Sequence, residues 1–148
     1  MIIGELSMHS IPVLPPEATL VEAGRALQAA ATPVLAVIQD GALLGTISER
    51  DLAVKGCGAG LKPEDVNVAA ICERRPAVCP SATRLSQALG MMQKRSQPWL
   101  LVLDGEERLA GVVSLNALIS VLADLVPEEG SGPEPGYVRR VRGGTWSD

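Results

Sequence analysis

One arrangement of apolar and polar positions occurs twice along the chain. In the first occurrence Leu20, Ala23, Gly24, Leu27 and Ala31 recur at helical spacing. Thr19 and Glu22 stand ahead of them as a capping box, in which hydroxyl and carboxylate each satisfy an end-of-helix backbone donor. Pro33 ends the helix. Val34 to Ile38 is a continuous apolar run that suits a strand covered on both faces. Asp40-Gly41 is a tight-turn signal, and Ala42 to Ile47 supplies a strand antiparallel to the first. Ser48 opens a helix carrying Leu52, Ala53 and Val54 that stops by Gly56-Cys57-Gly58. Ahead of all this, Met1-Ile2-Ile3 is a short apolar piece. Val13-Leu14, between Pro12 and Pro15, is a short extended segment at a sheet edge.

The second occurrence follows the same order. Val66 to Cys72 reads as a short entering helix, and Pro76 to Pro80 echoes Pro12 to Pro15. Leu85, Ala88, Leu89 and Met92 mark one face of a helix. Pro98, the run Trp99 to Leu103, the turn Asp104-Gly105 and the strand Leu109 to Val113 come next. Ser114 starts a last helix whose apolar face, Leu115, Leu118, Ile119, Leu122 and Val126, is unusually wide. Gly45-Thr46-Ile47-Ser48 and Gly111-Val112-Val113-Ser114 stand 66 residues apart, so the chain is a repeat protein. The expected division is 1–65 for the first unit with its N-terminal segment and a polar connector, 66–126 for the second, and 127–148 for a tail. Residues 127–136 are only Pro, Glu, Gly and Ser, a composition too polar to order itself, and Tyr137, Arg139, Arg140, Arg142 and Trp146 form a basic end.

Composition narrows the function classes. Hydrophobic residues make up 47% of 148, with no Phe, so the core is aliphatic. A net charge of −4 argues against a nucleic-acid binder, which would carry a basic patch or stripe. Cys57, Cys72 and Cys79 form no C-x-x-C pair, and with one histidine, His9, a tetrahedral zinc site is short of ligands. Reduced thiols, no secretory leader and apolar runs too short to cross a bilayer together predict a soluble cytoplasmic protein without a membrane partner. Phosphate-loop, H-E-x-x-H and G-x-S-x-G motifs are absent and His9 has no identified nucleophile beside it, so no enzyme and no catalytic cofactor are expected.

The two turns carry a resemblance. Paired strand-helix-strand-strand-helix units, each with a proline before the middle strand and a Gly-h-h-Ser turn, resemble a tandem pair of CBS domains, the Bateman module. The likeness covers residues 6–126, and Arg50 to Pro63 is similar to small stand-alone CBS pairs of the hypoxic-response type. It implies an α+β fold of two pseudo-symmetric β-α-β-β-α repeats packed sheet to sheet, with a disordered C-terminal tail. It also implies a cleft that takes an adenosine-containing ligand: AMP, ADP, ATP, NAD or S-adenosylmethionine.

In that cleft Ser48 and Asp51, one helical turn apart, would bond a ribose diol, since a carboxylate accepts both hydroxyls. Arg50 would reach a phosphate near the helix N-terminus. Gly45 would let the ligand approach the backbone, and Val13 and Val34 would flank the adenine. Spacing alone supports a second role, because Ser48-x-x-Asp51 is also a capping box. In the second turn Ser114 is kept, but Ala117 stands where Asp51 does, which predicts a weaker site there, with Trp99 filling its pocket. The expected function is a regulatory module that signals to a separate effector protein and pairs as a homodimer through its last helix. The alternative is a structural or protein-interaction dimer that has lost nucleotide binding.

Overall fold

A computed structural model describes residues 1–126, and the tail expected at 127–148 lies outside the described residues. The first unit comprises β1 (Val13–Leu14), α1 (Leu20–Ala30), β2 (Val34–Gln39), β3 (Ala42–Ser48) and α2 (Glu49–Asp51), which continues as a π-helical turn over Leu52–Cys57. The second comprises β4 (Val78–Pro80), α3 (Leu85–Arg95), β5 (Trp99–Leu103), β6 (Leu109–Ser114) and α4 (Leu115–Leu125). Each forms its own three-stranded sheet, ordered β1-β2-β3 and β4-β5-β6. In both, the first pair is parallel and the second antiparallel.

The local signals act as their chemistry requires. Thr19 Oγ1 accepts the amide of Glu22 at 3.2 Å while Glu22 Oε2 takes the amide of Thr19 at 2.7 Å, so α1 begins on a closed capping box. Helices α1 and α3 each end on a residue in the left-handed region, Ala31 and Ser96, two residues before the proline that admits the next strand. Both hairpins carry a register shift at the same place, between Val37 and Ile38 and between Val102 and Leu103. In the second hairpin turn Asp104 accepts the amides of Glu106 and Arg108 and the Arg108 guanidinium. Those donors hold its carboxyl below the usual carboxylate range.

Period-two alternation splits each sheet between two cores. Leu35, Val37 and Ile47 face α1, joining Leu20, Ala23 and Leu27. Leu100, Val102 and Val113 face α3 and α4, joining Ala88, Met92 and Leu118. The opposite faces meet each other: Val34 of the first sheet packs with Trp99, Leu101 and Val112 of the second, and the two sheets stack face to face.

The segments leading into the two units are exchanged. Val68, Ile71 and Cys72 pack into the core of the first unit, whereas Ile3 packs into that of the second. Isolated bridges join Thr19 to Asn67 and Thr46 to Glu73, and their counterparts join Ile2 to Arg84 and His9 to Val112. The helix expected over 66–72 is therefore a single 3-10 turn, Val68–Ala70. Asn67 and Glu73 are held at bridges on either side of it, which leaves no room for further turns.

Candidate functional site

A cavity of about 440 Å³ opens where the two repeats meet. Thr46 and Ser48 at the end of β3, with Glu49, Arg50 and Asp51 of α2, line it from the first repeat. Ser96, Pro98 and Trp99, at the junction of α3 and β5, line it from the second. Side chains at the rim mix charge, with Glu49, Asp51 and Glu73 against Arg50 and Arg95.

Ser48 and Asp51 form a capping box. Ser48 Oγ accepts the Asp51 amide at 3.0 Å, and Asp51 Oδ2 accepts the Ser48 amide at 2.9 Å. The other carboxylate oxygen, Oδ1, pairs with Lys55 Nζ at 3.2 Å. That lysine side chain is 43% exposed, so the pair is solvent-screened and open to exchange for another donor. The Ser48 proton is not used in the cap, since there its oxygen only accepts. The same two side chains thus serve the helix and still present a donor and an acceptor to the cavity.

Arg50 is exposed at the rim. Arg95, which the sequence reading did not single out, reaches the same cavity from α3, and its Nη2 donates to the carbonyl of Arg75 at 2.6 Å. A basic residue near the end of α3 facing the partner repeat was the available signal, but only the stacking of the sheets shows which way it faces.

Three residues expected at this site lie outside its lining, as does Ser114 of the second turn. A Cβ on Gly45 would overlap the carbonyl oxygen of Glu73 and come within 3.1 Å of Cys72 Sγ. The close approach that Gly45 permits is therefore made by the chain itself, at the exchanged segment. Val34 is fully buried between the sheets and does not line the cavity. Val13, on edge strand β1, is 52% exposed and is also outside the lining. Ser114 caps α4, its Oγ accepting the Ala117 amide at 3.2 Å, and is not part of this cavity.

Trp99, expected to fill the pocket beside Ser114, lines the cavity of Ser48 and Asp51 instead. Val34 and Trp99, the first residues of β2 and β5, pack together between the sheets, and the larger indole extends to the first repeat's side. One polar group in the lining is unexplained by the fold. Thr46 is fully buried, and its Oγ1 has no hydrogen-bond partner among the described residues. Leaving such a group unpaired costs about 1–3 kcal/mol. Nearby Cys72 is also buried, which pushes its thiol up, opposed by the charge of Arg74.

The sequence model of the CBS domain matches residues 3–55 and 68–124, and the chain belongs to the CBS domain family, with two copies of the domain. No curated protein sequence matches the chain significantly. Solved structures share the fold. A CBS domain protein from Pyrobaculum aerophilum, complexed with AMP, superposes with a TM-score of 0.74 at 20% identity, covering 84% of this chain and 98% of its own. A conserved protein from Pyrococcus horikoshii gives 0.75 at 22% identity, covering 88% and 96%. Hypoxic Response Protein I, solved with two coordinated zinc ions, gives 0.69 at 20% identity, covering 86% and 100%. Among the described residues of this chain no group of three His, Cys, Asp or Glu is placed to hold a metal ion, and no helix is long and apolar enough to cross a membrane.

Proposed function

We propose that this CBS pair is a non-catalytic regulatory module of the cytoplasm that binds an adenosine-containing ligand in the cavity of Ser48 and Asp51. The observation that carries this reading is the composition of the cavity wall: a hydroxyl and a carboxylate from one repeat face an indole from the other. The ribose hydroxyls donate to Asp51, displacing Lys55, and accept from Ser48. A phosphate meets Arg50 and Arg95. Because its walls come from both repeats, occupancy favours the relative orientation that closes them on the ligand, and that preference is the signal passed to a separate effector protein. The exposed Ile119 and Leu122 on α4 are the surface through which two copies pair as a homodimer. At the second turn Ser114 without a carboxylate partner makes a weaker site.

The capping box supports a second reading, a structural or interaction module without a nucleotide, since Ser48 and Asp51 are already accounted for by α2. Calorimetric titration with AMP, ADP, ATP, NAD and S-adenosylmethionine separates the two. Saturable binding of one or more of them is the expected result, and no heat from any of them sinks the regulatory reading.

A further inference from the structure

We propose that the Thr46 hydroxyl is the group that reads the base of the ligand, contacting the edge of a purine whose ribose sits at Ser48 and Asp51. This inference rests on the ligand-binding reading above and adds a specificity residue to it. Main-chain atoms of Thr46 are already paired, its amide donating to Glu73 O at 3.0 Å and its carbonyl accepting from Glu73 N at 2.8 Å. The side-chain hydroxyl is buried and left with nothing, on a residue that lines the cavity.

The second repeat shows that packing does not ask for that hydroxyl. Val112 occupies the equivalent place, since it makes the matching bridge with His9 and pairs with Leu101 as Thr46 pairs with Ala36. Val112 is buried almost as completely as Thr46. Valine and threonine have the same shape, so the oxygen adds no contact that a methyl would not. The carboxylate of Asp51 is likewise replaced, by Ala117, in the second repeat. Thr46, Glu49, Arg50 and Asp51, the four polar side chains of the first turn that the second replaces, all line one cavity.

Thr46 and Ser48 point to the same face of β3, and residues two apart on a strand are ~6.8 Å apart. That spacing is on the scale of one nucleoside, so a ligand held by its ribose at Ser48 brings its base to Thr46, and for the adenosine ligands proposed above that base is a purine. A hydroxyl both donates and accepts, so it satisfies an exocyclic amine or a ring nitrogen. Trp99 supplies an apolar wall in the same cavity.

The test compares wild type, Thr46→Val and Thr46→Ser as full chains, each titrated with AMP and with CMP. Trp99 fluorescence in a Trp146→Phe background gives a second readout, because the chain has only these two tryptophans. Thr46→Val is expected to melt no lower than wild type yet bind AMP about five- to tenfold more weakly, as for loss of one neutral hydrogen bond. Thr46→Ser retains most of the AMP affinity. AMP binding by Thr46→Val within twofold of wild type overturns the inference and leaves the ligand-binding reading standing. A wild type that binds neither nucleotide overturns both.

Discussion

Thr46 and Glu73 exchange two main-chain hydrogen bonds across the boundary between the repeats, and His9 and Val112 do the same in the opposite sense, at 3.0 and 3.1 Å. These reciprocal bridges explain the glycine that precedes each of Thr46 and Val112. Gly45 lies against Glu73 and Cys72, and a Cβ on Gly111 would stand 2.8 Å from the carbonyl oxygen of His9.

Alanine at either glycine should therefore loosen the crossing segment. Gly45→Ala and Gly111→Ala are each expected to lose about 1–3 kcal/mol, the usual cost of overpacking. Gly90 is the control: it sits inside α3 with open space where a Cβ would go. Gly90→Ala should gain about 0.5–1 kcal/mol from helix propensity. Denaturant melts of the three variants check this, and equal effects of all three would sink the account of Gly45.

Serine caps separate stability from binding. Ser48→Ala and Ser114→Ala each remove an N-cap acceptor, at a cost of about 1 kcal/mol. Ser48→Ala should also weaken the ligand, and by more than Ser114→Ala does. Asp51→Ala removes the cap acceptor and the partner of Lys55 together. It should reduce affinity tenfold or more, by the roughly 1.5–3 kcal/mol of a charged hydrogen bond. Melting curves paired with titrations measure both quantities. If Asp51→Ala lowers the melting temperature and leaves affinity alone, the carboxylate is a cap only.

The three thiols should differ in reactivity. Cys57 is exposed, whereas Cys72 and Cys79 are buried. Burial pushes both buried thiols up, so less of each is thiolate at neutral pH. Native protein should take up one equivalent of a thiol reagent quickly and the other two only on unfolding. Rapid labelling of all three would show that the exchanged segment around Cys72 opens freely.

Element order and sheet topology were legible because local chemistry marks them. Prolines 33 and 98, the two capping boxes and the Asp-Gly turns each act within a few residues of where they stand. What lay hidden was carried by the main chain or by the pairing of faces. The exchange of residues 2–9 and 66–73 is made by backbone bridges and by a few apolar side chains, Ile3, Val68 and Ile71, whose sequence pattern does not say which core they enter. Ser48, Arg50 and Asp51 could be grouped because they share one turn. Arg95 and Trp99 could not be added to them, since that needs the stacking of two sheets. Val34 was misplaced for the same reason: an apolar first residue of a strand suits a ligand wall and an inter-sheet core equally well.

The exchanged segments also set an order of events during synthesis. The first repeat emerges from the ribosome with its core unfinished, because Val68, Ile71 and Cys72 have yet to be made. Ile3 waits longer still, until β6 has appeared some hundred residues later. Folding from the N-terminus cannot close the first repeat before residues 68–72 have been made, whereas Ile3 stays uncovered until the core of the second repeat has been made.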